Sequence, residues 1–250
     1  MKYICSWSGG KDSTASIILA HLHNEPLDLI LFSEVFFNET VSGELPEHIA
    51  FVYKSIKLFE SWGYEVKVLR SHQTYMDVFN HVVTSPRKVA KNKGKRAGFP
   101  NASRCPVRRD LKLKPIYEFY NGLNEEYFQY IGIAADEKDR LESLRSVKNA
   151  ISLLEKYNYS EEMCVSLCKE YNLYSPAYQY SKRQGCWFCP NAKIEECRCV
   201  KEKHPDAWKS FVALEDEPNL INYKWSLYGA TLKERDNYLT NFKPLSLFDF

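Results

Sequence analysis

Two short segments of this 250-residue sequence combine residue types that do chemistry. The first is Ser-Gly-Gly-Lys-Asp-Ser at residues 8–13, which follows a strand-like run and precedes a helical pattern. Two glycines allow a tight turn, and amide groups at the start of a helix favour an anion. The segment fits neither G-x-x-x-x-G-K-S/T nor G-x-G-x-x-G. It predicts a phosphate loop of another kind, or else a simple turn with Asp12 or Ser13 as helix cap.

The second segment is a C-x-x-C pair, Cys186 and Cys189, on a turn bounded by glycine and proline. Such a turn places two thiolates on one cation, and two more soft ligands complete a zinc site or a [4Fe-4S] cluster. Cys197 and Cys199 follow closely. The other cysteines in apolar surroundings are predicted to be core residues; these are Cys5, Cys164 and Cys168.

Composition narrows the class of protein. Eight cysteines are about 3% of the chain, well below the level of a disulfide scaffold. The apolar runs are much shorter than the roughly 18 residues that span a bilayer, and the first residues leave no room for a signal peptide. We therefore expect a cytoplasmic protein with reduced thiols and no membrane partner.

The net charge of +2 hides a basic segment at residues 87–114, which has 11 basic residues and one acid, Asp110. The rest of the chain then holds 23 basic and 31 acidic residues, so it is acidic. Residues 91–98 contain two glycines and few apolar residues, which is typical of a mobile loop that closes on phosphates. A solvated surface loop is the alternative. We expect an anionic partner.

Hydrophobic periodicity predicts strands at residues 3–7, 27–32, 64–69 and 127–133 and helices at 13–23, 47–62, 75–83, 107–120 and 141–157. From residue 161 onward the pattern is helical with no clear strand. Alternating strands and helices predict an α/β fold with a mostly parallel, Rossmann-like sheet and helices on both faces. We place a nucleotide-binding domain at residues 1–157 and a small helical, cysteine-containing region at 158–250.

Residues 8–13 resemble the PP-loop, S-G-G-x-D-S, of the N-type ATP pyrophosphatase (adenine nucleotide alpha hydrolase) superfamily. Lysine at the variable position resembles the phosphoadenosine phosphosulfate (PAPS) reductase-like branch. The resemblance implies an enzyme that binds ATP, or adenylyl sulfate or PAPS, with Mg²⁺. It implies that Lys11 neutralises phosphates and that Asp12 holds the loop or the Mg²⁺. The phosphates would be cradled by Ser8, Gly9, Gly10 and Ser13.

Further segments extend the resemblance over roughly residues 1–145. Residues 32–40 resemble the end of the family's second strand, which contacts adenosine, and residues 104–106 resemble its R-x-C-T segment. Residues 132–140 resemble G-I-R-A-x-E-S-x-R, although Ala134 replaces the usual arginine. Asp136 and Arg140 are thereby assigned to the nucleotide site, with a polar loop capped by Asp136 or Asp139 as the alternative. The expected anion-binding residues are Arg104, Arg108 and Lys112.

The cysteine spacing resembles that of sulfur-transferring relatives such as the DNA phosphorothioation sulfurtransferase. In those proteins a cysteine from the middle of the chain joins a C-terminal trio around a [4Fe-4S] cluster. The resemblance implies the ligands Cys105, Cys186, Cys189 and Cys197. Cys199 is the alternate fourth ligand or the catalytic nucleophile, and His204 is a further candidate ligand if the metal is zinc.

Three functions follow. The first is ATP-dependent sulfur transfer, with Lys11, Asp12 and Cys199 as catalytic residues, a sulfur donor, and nucleic acid as one candidate acceptor. The second is a PAPS or adenylyl-sulfate reductase that uses a thiol reductant, disfavoured because the chain ends without an E-C-G-L-H segment. The third is a zinc-knuckle module that binds nucleic acid. The oligomeric state is left open. A less favoured role is the stacking of nucleic-acid bases on four aromatic residues near the basic region; these are Tyr178, Tyr180, Trp187 and Phe188.

Overall fold

The structure is a computed structural model that describes residues 1–86, 89–179, 181, 183–226 and 229–241. Outside these ranges lie Arg87 and Lys88 of the basic segment and the aromatic residue Tyr180. In chain order the elements are β1 (Lys2–Trp7), α1 (Lys11–Leu22), β2 (Leu29–Glu34), α2 (Pro46–Ser61), β3 (Glu65–Arg70), α3 (Tyr75–Asn80), β4 (Arg96–Gly98), a π-helical segment (Val107–Leu113), α4 (Lys114–Asn121), β5 (Tyr127–Tyr130), α5 (Lys138–Arg145), β6 (Ala150–Ile151), α6 (Leu153–Lys156), α7 (Glu161–Glu170), α8 (Ile194–Lys203), α9 (Pro205–Ala213), β7 (Leu220–Asn222) and α10 (Leu232–Asn241).

The main sheet has five strands in the order β3-β2-β1-β5-β6, and neighbouring strands are parallel throughout. In the register of the central strand, Cys5 lies between Ile30 of β2 and Tyr130 of β5. The strand order reverses at β1, because the chain adds β2 and β3 on one side and β5 and β6 on the other. In open parallel sheets this reversal leaves a crevice at the carboxyl ends of the strands, where ligands bind.

Alternate residues of the central strands face opposite sides of the sheet, as a side-chain period of two requires. Cys5 and Ile30 join a large buried cluster with α1, α2 and α7. Ile4 and Leu29 join a smaller cluster on the other face with Tyr120 of α4. The predicted α/β class, with a parallel Rossmann-like sheet and helices on both faces, is confirmed.

A second core, rich in aromatic residues, joins the middle of the chain to its C-terminal third. It includes Tyr75 and Phe79 of α3, Phe188 of the C-x-x-C turn, and Phe211 of α9. Trp225 is 1% exposed and its indole N–H donates to the Phe188 carbonyl oxygen at 3.0 Å. This core anchors the cysteine turn to the rest of the molecule. The division into regions 1–157 and 158–250 stays a prediction.

Three local predictions are wrong. The helix predicted at 141–157 is instead α5, β6 and α6, because Ala150–Ile151 pairs with β5 and extends the sheet. A strand does occur after residue 161, since β7 pairs in parallel with β4. The supposed loop at 91–98 therefore ends in a strand, and Arg96 is held there by Glu217 at 2.8 Å.

The core assignment of three cysteines is confirmed, since Cys5, Cys164 and Cys168 are each fully buried. Cys164 and Cys168 lie on α7, which packs against α1. Within the described ranges, no helix combines the length and the apolar character that crossing a membrane would need.

We expect Phe211→Ala to lower the free energy of unfolding by about 3–5 kcal/mol, because it empties a fully buried position in the second core. Urea unfolding followed by circular dichroism measures this. Tyr223→Ala is the control, since Tyr223 is 54% exposed and its truncation should change stability by less than about 0.5 kcal/mol. Equal effects of the two substitutions would show that the second core is not packed as described.

Candidate functional site

The Ser-Gly-Gly segment forms the turn between β1 and α1 at the carboxyl edge of the sheet. Gly9 has a φ of +74°, and a Cβ atom there would lie 2.8 Å from Cε1 of His48. Both the backbone conformation and the space therefore require glycine. The turn is closed by a hydrogen bond from the Ser8 amide to Ser13 Oγ at 3.2 Å and one from Ser13 Oγ to the Gly10 carbonyl at 3.2 Å.

A second loop presses on the start of α1 from the far side of the crevice. A Cβ atom on Gly132, just after β5, would lie 2.5 Å from the Ser13 amide nitrogen. Only a glycine allows the two backbones to approach so closely. The phosphate loop and the loop after β5 thus meet at the point where the strand order reverses, which is where this fold class binds ligands.

The first turn of α1 has no side-chain cap, since Gly10 stands at the cap position. The Gly10 amide donates to Ser8 Oγ at 3.3 Å, and the Lys11 amide donates to the hydroxyl of Tyr178 at 2.9 Å. An uncapped helix start with outward amide groups is a favourable place for an anion. Tyr178 currently supplies the oxygen that one of these amides needs.

Three carboxylates gather beside the loop. One oxygen from each of Asp12, Glu137 and Glu161 lies within 4.8 Å of the others. The ammonium group of Lys11 is bound to this group, at 2.7 Å from Asp12 and 3.4 Å from Glu161. Burial raises the pKa of Asp12, partly opposed by Lys11, and burial also disfavours the charged lysine. The two carboxylates outweigh that cost, so the pKa of Lys11 is raised overall.

Asp136 of the loop after β5 and Arg140 in the first turn of α5 contact other partners. Asp136 accepts a hydrogen bond from the Glu161 amide at 3.1 Å, at the start of α7. Arg140 pairs with Glu137, whose other oxygen accepts from the Ala134 amide at 3.0 Å. Asp136 therefore pairs with an amide at the start of α7 in this structure. Its assignment to the nucleotide site, like that of Arg140, stays a prediction.

His48 lies beneath the loop and is 2% exposed. Its Nδ1 is 2.8 Å from Ser175 Oγ, while its Nε2 is buried and has no hydrogen-bond partner among the described residues. The imidazole lines a cavity of about 40 Å³ together with Glu44, Gln184 and Cys199. Burial lowers the pKa of His48, opposed in part by Glu44, so the ring is neutral at pH 7.

Three of the predicted metal ligands, Cys105, Cys186 and Cys189, line one pocket of about 230 Å³. The same pocket is lined by cationic side chains; these are Arg108, Lys112 and Arg183. Burial raises the pKa of the Cys105 thiol, although the amides of Arg108 and Val107 oppose this by hydrogen bonding to the sulfur. A cation in the pocket would convert such thiols to thiolates.

Cys197 and Cys199 lie on different sides of α8, because two helical positions are separated by about 200°. Cys197 packs in the second core with Cys105 and Cys186, and it interacts electrostatically with Cys189. Burial raises the pKa of Cys197 to about 12. Cys199 instead lines the cavity next to His48. The geometry thus brings Cys197 toward the other three thiols, whereas Cys199 lines the cavity beside His48, which Cys186 also lines.

The thiols stand farther apart than a zinc site requires. Four sulfurs at about 2.3 Å from one Zn²⁺ would be separated by about 3.8 Å. In the described part of the chain, the acidic trio is the only group of three or more Cys, His, Asp or Glu residues with ligand atoms within 4.8 Å of one another. His204 is not near such a group, and its Nε2 lies 3.1 Å from Glu47. Four cysteine thiolates are the ligand set of a [4Fe-4S] cluster as well as of a zinc site.

The predicted anion-binding and base-stacking residues differ in their exposure to solvent. Arg104 and Arg108 are exposed near Cys105, and Lys112 is half-buried with its carbonyl accepting from Ser33 Oγ at 2.9 Å. The idea that Trp187 and Phe188 stack on a base is wrong, because they are 8% and 1% exposed and belong to the second core.

Sequence reasoning missed several residues of the site. His48 of α2 and Glu161 of α7 come from elements outside the motifs. Arg183 lies three residues before the C-x-x-C turn but does not belong to its spacing pattern. The only available signals were the polar residue on the apolar face of α2 and the arginine next to the C-x-x-C turn. Neither signal identifies a site residue unless the fold is known.

Comparison with known proteins adds little. No protein-family model matches the chain, and no curated protein does. Among six matching chains of solved structures is the U34-tRNA thiolase NcsA from Methanococcus maripaludis with its [4Fe-4S] cluster. The TM-score is 0.42 and the identity 14%, over 100% of this chain and 76% of that chain. Because this likeness is so weak, the function has to be argued from the site itself.

His48 predicts a pH dependence of stability. Its pKa in the folded protein lies below the unfolded value of 6.5, so only the unfolded chain takes up a proton just below pH 6.5. The free energy of unfolding should therefore fall as the pH drops below 6.5, by at most about 1.4 kcal/mol per pH unit from this residue. Urea unfolding between pH 5 and 8 measures the slope. His48→Gln should flatten it, whereas the exposed His72→Gln should not; equal slopes for all three proteins would contradict the prediction.

Proposed function

We propose that the protein is an ATP-dependent sulfurtransferase of the PP-loop type. The observation that carries the proposal is that one molecule holds an uncapped phosphate loop at the sheet reversal and a pocket of thiols, with Gln184 beside Gly10 and Cys186 only two residues farther on. In the proposed reaction, an oxygen of the acceptor attacks the α-phosphorus of ATP and pyrophosphate leaves. A sulfur nucleophile then displaces AMP from the adenylylated acceptor.

The loop would bind the phosphates through its amides and through Ser8 and Ser13. Mg²⁺ is commonly bound by one or two carboxylates together with substrate phosphates. Asp12, with Glu161 or Glu137, supplies those carboxylates, and the Lys11 ammonium they hold would be released toward the phosphates. Catalysis would then consist mainly of positioning and of charge neutralisation.

The [4Fe-4S] cluster would be held by Cys105, Cys186, Cys189 and Cys197, and it would supply sulfur or electron chemistry beside the nucleotide. Arg108, Lys112 and Arg183 would offset its negative charge, since all three line the thiol pocket. The Val107 and Arg108 amides would stabilise the Cys105 thiolate. Cys199, which lines the cavity beside His48, would be the nucleophile in the reductase alternative, where its thiolate would attack the sulfur of adenylyl sulfate and AMP would leave.

A nucleic acid is the acceptor that the surface favours. Arg108 lines the thiol pocket, and Arg104 and Arg109 are exposed close to it along the chain, in the basic segment of an otherwise acidic chain. Phosphate backbones bind such surfaces through arginine and lysine in a salt-dependent way. A PAPS or adenylyl-sulfate reductase remains the alternative reaction for the same nucleotide site.

We expect Asp12→Ala to reduce pyrophosphate release from ATP by about 100- to 1,000-fold, because the loop loses its central carboxylate. The assay uses anaerobically purified, cluster-loaded protein with Mg²⁺, bulk tRNA and a sulfide donor. Asp139→Ala is the matched control, since Asp139 is exposed at the first turn of α5. Equal pyrophosphate release by Asp12→Ala would contradict the proposal, as would sulfite release from adenylyl sulfate without any turnover of ATP.

Iron and sulfide analysis of the anaerobically purified protein tests the cluster. We expect a brown protein that loses most of its iron and visible absorbance in Cys105→Ser and in Cys197→Ser. Cys199→Ser should retain both, because Cys199 lies on the other side of α8 and lines the cavity beside His48. A colourless wild-type protein with stoichiometric zinc would refute the cluster, and loss of iron in Cys199→Ser but not in Cys197→Ser would refute the ligand assignment.

A further inference from the structure

The hydroxyl group of Tyr75 has no hydrogen-bond partner among the described residues, although the side chain is 0% exposed. Buried polar groups are nearly always paired, and an unpaired one costs free energy. Tyr75 is the first residue of α3, whose start is fixed by a capping box between Thr74 and Asp77. Its amide donates to the Phe36 carbonyl at 2.9 Å. The backbone that carries the unpaired hydroxyl is therefore firmly held.

The ring of Tyr75 is enclosed by phenylalanine side chains of the second core. Its centroid is 4.5 Å from that of Phe188 and 5.2 Å from that of Phe37. The rings of Phe211 and Phe79 follow at 5.9 Å and 6.3 Å. Close packing of this kind holds a side chain in one rotamer. Phenylalanine side chains carry no oxygen or nitrogen, so these neighbours give the hydroxyl no polar acceptor.

Tyr75 also lines the thiol pocket, together with Cys105, Cys186 and Cys189. The tyrosine and Cys105 come from neighbouring elements, because α3 packs against the π-helical segment that begins two residues after Cys105. Burial raises the pKa of the Tyr75 hydroxyl well above its ordinary value, and the electrostatic interaction with Cys105 raises it further. The phenol therefore keeps its proton and is a hydrogen-bond donor beside the thiols.

We propose that the Tyr75 hydroxyl donates a hydrogen bond to a sulfur atom of the metal centre in the thiol pocket, namely a sulfide of the [4Fe-4S] cluster or the thiolate of Cys105. The inference rests on the proposed function in one respect only, that the pocket holds the cluster. Cluster sulfides and ligand thiolates carry negative charge, and hydrogen bonds to charged acceptors are the strong ones. The cluster thus brings the acceptor that the buried hydroxyl lacks.

Such a hydrogen bond would set the reduction potential of the cluster. Reduction adds one electron, so the sulfurs become more negative and the bond from Tyr75 becomes stronger. Hydrogen bonds to the sulfurs are among the factors that determine the potential of an iron–sulfur cluster. Because Tyr75 is shielded from water by the second core, its effect is not weakened by solvent. Tyr75 would therefore favour the reduced cluster without being a ligand.

The first experiment is an anaerobic redox titration of the cluster-loaded protein, followed by electron paramagnetic resonance. Tyr75→Phe keeps the ring and should lower the equilibrium constant for one-electron reduction about tenfold, which is a potential about 59 mV lower. Tyr120→Phe is the matched control, since Tyr120 is also buried but its hydroxyl lies 3.2 Å from Ser6 Oγ in another cluster of the core. Its potential should equal that of the wild type. An unchanged potential in Tyr75→Phe, or equal shifts in both variants, would overturn the inference.

The second experiment detects the hydrogen bond itself. Reconstitution of the cluster in D₂O should shift the iron–sulfur stretching bands in the resonance Raman spectrum, and the shift should be smaller in Tyr75→Phe than in the wild type or Tyr120→Phe. A fluorotyrosine at position 75 is a stronger donor and should raise the potential above that of the wild type. Equal shifts in all proteins, with normal iron content, would overturn the inference alone. A wild-type protein that holds no cluster would overturn the proposed function as well.

Discussion

The site depends on the close approach of two backbones at the start of α1. Gly9 lies against His48, and Gly132 lies against the Ser13 amide, at distances that no side chain would allow. The parallel pairing of β1 with β5 is what brings these loops together, because it aligns their carboxyl ends. The acidic group follows from this geometry, since Asp12 comes from one loop and Glu137 from the other. A change in either glycine would therefore displace charges as well as the backbone.

The thiol pocket poses an electrostatic problem of a different kind. It is set in an aromatic core, and burial raises the pKa of Cys105, Cys186 and Cys197. Thiolates are unfavourable there unless positive charge is close. Cationic side chains at the rim and two amides at Cys105 meet part of that need. The [4Fe-4S] cluster proposed above would supply the rest.

Much of the fold was predictable because its signals are local. The alternation of strands and helices, the glycines of the phosphate loop and the core positions of Cys5, Cys164 and Cys168 all follow from periodicity and turn chemistry. The strands β6 and β7 were not predictable, since each is two or three residues long and exists only through its partner strand. His48 and Arg183 were missed because tertiary packing sets their positions, and no spacing rule in the sequence predicts tertiary packing.

The path of the chain ties the two sites together. The segment that follows α7, which is packed on α1, leads into the C-x-x-C turn, where the Trp187 amide donates to the Gly43 carbonyl at 2.9 Å. Tyr178, which contacts the phosphate loop, is only eight positions before Cys186 of the C-x-x-C turn, so a short stretch of chain joins the two candidate sites.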